Sequence, residues 1–451
     1  MKQLKSTGWR GVFGWGQSAS PVVIPSVPAG LTRCLDAIIV RHQYVYVMKP
    51  KALFLFALLI VGCLLLSGCI GTATPMGWSA PVMDDDVIYV GTTEGKVVSY
   101  TLVSEPRVAV EKWRFPARGK PGLGGGDGGG GFLACAATAG AVMYSTPFVA
   151  DGAVYIGAYD GKVYALNTSS RDAGYSFPQE LVGEWVYPEE DSIGAIVGSP
   201  VVADGILYIG SGDGNLYAID IATGELAWDS PFTTEDYIWA TPLVHDGVVY
   251  ISSFDNKLYA IDAADGTGVW ESPFQTDGAI VATPLFYNDT IYIGSFDRKF
   301  YAVDTSTGKA KDGFIPFPAD NWFWGGAVGY DDTIIVGCLD GRVYALDVET
   351  GERKWSFPEL DEEPVGPIRG EPALVGELVI FGSDDGKVYA LDAASGHLIW
   401  DYPPGEDQFG PIRASLYAGD GEVYVHDTRN HYIYALGAEH GNVLWSVSTA
   451  E

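Results

Sequence analysis

A tyrosine in the middle of a short apolar run recurs along this chain at a nearly fixed interval. It, or an isoleucine in its place, falls at Tyr89, Tyr155, Tyr208, Tyr250, Tyr292, Ile335, Ile380 and Tyr424. From Tyr208 onward the steps are 42, 42, 43, 45 and 44 residues. The most regular copy, Ala240 to Phe274, reads as four short strands: Ala240–Val244, Val248–Ser252, Lys257–Ile261, and Val269–Glu271 around Trp270. His245-Asp246-Gly247 and Phe254-Asp255-Asn256 supply the tight turns, because Gly, Asn and Asp tolerate positive φ. Val, Ile and Tyr suit the pleated, half-buried surface between the turns. A meander this small cannot bury both its faces, so it needs neighbours of its own kind. Eight copies closing radially supply them. The expected fold is all-β, an eight-bladed β-propeller of four-stranded antiparallel blades over residues 79–451.

Charge then narrows the partners. The chain carries a formal −30, and residues 69–451 hold 20 Lys and Arg against 56 Asp and Glu. Such a surface repels nucleic acid and has no electrostatic grip on anionic lipid.

The N-terminal part has a different composition. Residues 1–47 show no sustained periodicity and precede a second methionine, so translation is expected to start at Met48, with a disordered extension as the alternative. Lys49 and Lys51 lead an apolar run of 14 residues, Leu53 to Leu66. That is short for a membrane span and fits a secretory signal over 48–68. Leu66-Ser67-Gly68-Cys69 resembles the bacterial lipobox, in which the signal is cut before the cysteine and the cysteine is acylated. Cys69 is the expected lipid anchor, residues 69–78 the tether, and the location extracytoplasmic; an uncut single-pass anchor would give the same topology.

Besides Cys69, only Cys135 and Cys338 remain after such a cut. They fall in distant repeats, and no disulfide framework is needed. No CxxC or zinc-ligand spacing occurs. The glycine-rich stretch 119–140 lacks the Lys-Ser/Thr and following helix of a phosphate loop and reads as a surface loop. Repeat 2 carries an insertion around Ser169–Val182. In repeats 3, 4, 6, 7 and 8 a Trp stands four residues after the turn glycine, as Gly266 to Trp270. Repeat 5 has Asp312 there, and Phe314, on the same strand face, is the candidate replacement.

The pattern YIGSxDGxLYALDxxTGxxxW, as in Tyr208–Trp228, resembles the pyrroloquinoline-quinone-type propeller repeat, over about Ser79 to Ser446. The resemblance implies either a quinone-dependent dehydrogenase or a scaffold like the lipoprotein propeller of the outer-membrane protein assembly machinery. The enzyme branch uses adjacent cysteines, a calcium site and an aspartate base beneath an axial quinone. This chain has no Cys-Cys pair and no CxxCH. The scaffold is therefore the expected function, with no cofactor; quinone and calcium belong to the enzyme alternative alone, and a small-ligand sensor is the third possibility. Expected partners are other envelope proteins and, through lipid, a membrane, with the chain a monomer or one subunit of a larger complex.

Geometry places the candidate docking surface. In an up-and-down blade, the second-to-third strand turns and the connections between blades share one end. That end collects Asp160, Asp213, Asp255, Asp297, Asp340 and Asp385, which read as turn formers. It also collects Tyr237-Ile238-Trp239 entering blade 4, Asn321-Trp322-Phe323-Trp324 entering blade 6, and Arg369 and Arg413 entering blades 7 and 8. Trp239, Trp322, Trp324, Arg369 and Arg413 form the candidate binding funnel, since Trp, Tyr and Arg anchor interfaces. Alternatively, the arginines offset nearby aspartates and the tryptophans pack between sheets.

Overall fold

The computed structural model of the chain describes residues 77–103, 107–115, 142–168, 184–405 and 409–450. The apolar run, Cys69, the glycine-rich stretch, Cys135 and the insertion in repeat 2 lie outside them. The described residues contain no helix and form eight four-stranded sheets, each of four consecutive antiparallel strands. The protein is an eight-bladed β-propeller. Each of the eight recurring Tyr or Ile positions falls inside the second strand of its blade, as Tyr250 does in Val248–Ser252.

Within a blade, the period of two divides the side chains between two neighbours. Tyr89 packs toward blade 2, against Val154 and Ile156. Ile88 and Val90, on the other face, pack toward blade 8 with Tyr424 and Trp445. The core is therefore eight separate layers, one between each pair of blades. Fully burying one such side chain is worth about 1.5–3 kcal/mol, and those layers hold the ring. The last layer closes it without an exchanged strand. Across this seam Tyr100 donates its hydroxyl to Ser448 O at 2.8 Å, and His426 Nδ1 donates to Ser79 O at 2.8 Å.

The turns form as their residues dictate. Asp246 and Gly247 have φ of 48° and 74°, and Asn256 has 71°. Two boundaries in blade 4 differ from expectation. The first strand is Leu243–His245 rather than Ala240–Val244; Pro242 has no N–H to offer a ladder, and the residues before it line the axis. The fourth strand is Phe274–Gln275 rather than Val269–Glu271. Trp270 turns to the next blade, where its Nε1 donates to Thr305 O at 2.8 Å. The extra Ser272-Pro273 before Phe274 interrupts pairing. In blade 6, where Ser356 alone separates Trp355 from Phe357, the Trp lies within the fourth strand, Arg353–Phe357.

Blade 5 keeps this clasp with different atoms. A Cβ added to Gly308 would lie 2.5 Å from the Trp270 ring, and one added to Gly351 would lie 3.0 Å from the Phe314 ring. Phe314 thus occupies the tryptophan seat. The carbonyl that an indole would have served, Val348 O, accepts from Lys311 Nζ at 3.2 Å in its place, beside a bond from Tyr292 Oη at 2.9 Å like that of Tyr208 to Ala263 O.

Candidate functional site

The first strands of successive blades contact one another from blade 1 to blade 6 and from blade 7 to blade 8. The segments feeding them therefore surround the axis. In blade 4 that segment is Tyr237–Thr241. Ile238 and Ala240 are buried, whereas Tyr237, Trp239 and Thr241 are not, which is the alternation of an extended chain. Ile238 is the fixed point: it packs on Gly210, where an added Cβ would lie 2.1 Å from Ile238 Cγ2. Phe323 sits on Gly294 in blade 6 in the same way, at 2.2 Å. Seating this anchor on bare backbone turns the residue after it toward the axis.

The residue after the anchor forms a collar. Blades 1 to 4 place Trp78, Tyr144, Val197 and Trp239 there; blades 5 to 8 place Val281, Trp324, Arg369 and Arg413. All eight line one axial cavity of about 100 Å³. Two positions further along, a second ring faces the same cavity: Thr146, Ser199, Thr241 and Thr283, then Gly326, Glu371 and Ser415.

Contacts run around most of the collar. Trp239 meets Phe254 edge-on at 4.8 Å, and Phe254 meets Phe296 at 6.1 Å. Phe296 stacks on Trp322 at 4.5 Å and tilts against Trp324 at 5.5 Å. The Arg369 guanidinium lies over Trp324, and that of Arg413 over Trp78. Trp78 is edge-on to Tyr144 at 4.6 Å. Asp384 joins the arginines, accepting Arg369 Nε on Oδ2 at 3.0 Å and Arg413 Nε on Oδ1 at 3.1 Å. Two guanidiniums and one carboxylate leave this triad at +1.

The structure thus brings four of the five funnel residues, Trp239, Trp324, Arg369 and Arg413, to one cavity. Trp322 is not among its lining. It stands beside the collar, 44% exposed, and shares Phe296 with Trp324. The six turn aspartates serve their own turns. Asp255 accepts Lys257 N–H at 3.0 Å on one oxygen and Tyr259 Oη at 2.5 Å on the other, and the other five repeat the tyrosine bond. Burial, then the adjacent Asp255, pushes the Tyr259 hydroxyl far above its usual range. Cys338 is a buried free thiol with Sγ 3.4 Å from the carbonyls of Asn321 and Trp322.

Sequence reasoning missed Trp78, Tyr144, Asp384 and Glu371. Aligning repeats on the anchor position exposes the first two. Asp384 stands where other repeats have Phe254 and Phe296, so its charge departs from the pattern. Glu371 is the acidic member of an otherwise small and polar second ring. Its N–H donates to Ser415 Oγ at 3.0 Å, and burial pushes its carboxyl up to about 7. Among the described residues no three His, Cys, Asp or Glu side chains gather as metal ligands.

A model of the family described as outer membrane protein assembly factor BamB matches residues 179–313 and 339–451, together more than half of the chain. The interval between them contains Phe314, Trp322 and Trp324. No curated protein matches the sequence. Among solved structures, the computationally designed Ika8 protein is similar at TM-score 0.57 and 18% identity, over 82% of this chain and 95% of that chain. BamB from Moraxella catarrhalis is similar at TM-score 0.56 and 18% identity, over 78% of this chain and 91% of that chain. At such identity both likenesses concern the fold.

Proposed function

This chain belongs to the outer membrane protein assembly factor BamB family, and from that premise we propose an extracytoplasmic scaffold that docks other envelope proteins at its axial collar and is held to a membrane through lipid on Cys69. The observation that carries the docking site is the collar itself. Aromatic and arginine side chains stand in contact around one mouth, half-buried and open to a partner, and these residue types dominate the energetics of protein interfaces. The Trp322 ring, set beside the mouth and stacked on Phe296, adds a rigid exposed anchor. The family name points to the assembly of outer-membrane proteins, so the partner is sought among components of that machinery.

The test is site-specific photo-crosslinking in the native envelope. A crosslinker replacing Trp322 should capture an envelope protein. One replacing Asp246, in the exposed turn at the opposite end of the blades, should not. Capture should fall at least tenfold when Trp324→Ala and Arg369→Ala are combined. Equal capture from both ends, or capture indifferent to the double substitution, would remove the collar from the docking surface.

A further inference from the structure

The second ring of the axial cavity is almost uniformly an oxygen ring. Three of its hydroxyls are held from behind by backbone. Ser199 Oγ accepts Thr146 N–H at 2.9 Å, Thr241 Oγ1 accepts Ser199 N–H at 3.0 Å, and Ser415 Oγ accepts Glu371 N–H at 3.0 Å. A hydroxyl oxygen that has accepted one N–H retains a second lone pair and its own proton. Blade 6 interrupts the ring with Gly326, and Glu371 leans into the gap: an added Cβ on Gly326 would lie 2.7 Å from Glu371 Oε2. The two nearby cations do not neutralise this carboxylate. Arg369, two residues upstream, and Arg413, on the next blade, both direct their Nε to Asp384.

We propose that this throat binds a primary ammonium group, with Glu371 as its counter-charge and the ring hydroxyls as its remaining acceptors. An unpaired carboxylate in a confined site is costly, and an inserted cation relieves that cost. An ammonium has three donors and no acceptor, which matches one carboxylate and two hydroxyls. Calcium takes 6–8 oxygens, commonly with several carboxylates, and the ring has one. The cavity of about 100 Å³ has room for several waters, and so for an alkylammonium head. The tryptophans of the collar give the methylene stem an apolar wall and the cation a ring face on entry. Because burial holds the Glu371 carboxyl up at about 7, an arriving cation below that pH displaces a proton. The other charged or titratable groups around the mouth are Arg369, Arg413, Asp384 and Tyr144.

The ammonium can come from a free alkylamine or from a lysine of a docked protein; only the second source rests on the docking reading. n-Butylammonium, a lysine head without its backbone, is titrated calorimetrically into the full-length protein at pH 8. Saturable binding is expected, weakened at least tenfold in Glu371→Gln, which preserves shape, and in Gly326→Ser, which crowds the carboxylate. At pH 6 binding should weaken and release a proton, seen as a dependence of the heat on the ionisation enthalpy of the buffer. Unchanged affinity in a folded Glu371→Gln protein would overturn the site. So would displacement of butylammonium by an equal concentration of potassium or calcium, or equally tight binding of tetramethylammonium, which has no N–H to donate. The same titration on the complex captured through position 322 names the source: loss of butylammonium binding means a partner lysine fills the throat, and retained binding means a free amine does. Failure of the capture leaves the first titration standing, and failure of the titration leaves the collar reading standing.

Discussion

The guanidinium carbon of Arg369 lies 5.6 Å from the centre of the Trp324 ring, and its position there depends on a second contact. Asp384 accepts Nε of Arg369 on one oxygen and Nε of Arg413 on the other, which fixes both guanidinium planes. The Asp384 side chain is 13% exposed, against 24% and 30% for the two arginines. Asp384→Asn is therefore expected to cost about 1–2 kcal/mol at low salt, between an exposed ion pair and a charged hydrogen bond. Urea denaturation checks it, and the loss should shrink at high salt. Arg369→Ala and Asp384→Asn should be coupled in a double-mutant cycle; strict additivity would show that the contact does not hold the collar.

This pair also marks how far the sequence can be read. The neighbourhood of Arg369 and Arg413 follows from the repeat, because adjacent copies place equivalent residues side by side. Asp384 was masked by its resemblance to the turn aspartate Asp385 beside it. The recurring tyrosines are local signals, set by a period of two between turns with positive φ, and all fall in second strands. Val269–Glu271 has the same local look, yet Ser272-Pro273 interrupts its pairing, whereas Trp355, with the same clasp on Ala393 O and Gly396, stays in its strand. Glu371 meets Gly326 and Ser415 only when blades 6, 7 and 8 pack side by side, so nothing local to it announces the throat.

Blade 5 predicts the cost of the tryptophan clasp elsewhere. Trp270→Phe keeps a ring on Gly308 but removes the donor to Thr305 O, as nature has done at Phe314. The expected loss is about 1 kcal/mol, one hydrogen bond net of its replacement by water. Phe314→Ala removes the ring itself and should cost about 3–5 kcal/mol. The shifts of the urea midpoint should keep that order; a larger loss for Trp270→Phe would mean that the hydrogen bond outweighs the packing.

Two buried groups give the ring opposite responses to pH. Burial raises the Glu371 carboxyl from 4.5 to about 7, so between those values the folded state holds a proton the unfolded chain does not. This contribution strengthens as pH falls through 7 and is lost as pH rises. Burial lowers the His426 imidazole from 6.5, so its contribution is present above 6.5 and lost as pH falls further. Glu371→Gln should stabilise the protein at pH 8 by about 1–2 kcal/mol, a value discounted because the side chain lines an open cavity, and have little effect at pH 5. His426→Gln should flatten the acid limb and leave the alkaline limb intact. Thermal midpoints from pH 5 to 8.5 check both signs.

The proposed membrane anchor is tested separately from the propeller. The apolar run Leu53–Leu66 has 14 residues, short of the roughly 20 that span a bilayer as a helix. The acidic charge of residues 69–451 repels an anionic leaflet and cannot substitute for a lost anchor. On the proposed reading, attachment rests on acyl chains at Cys69, and more than one chain is needed for stable anchoring. Cys69→Ser is expected to abolish incorporation of labelled fatty acid and move the protein from the membrane pellet to the soluble fraction. The wild-type protein should stay in the pellet through high salt and leave it with detergent. A Cys69→Ser protein that still needs detergent for release would show that the apolar run itself is retained as the anchor, and the acylation reading would fall while the propeller and its collar remain.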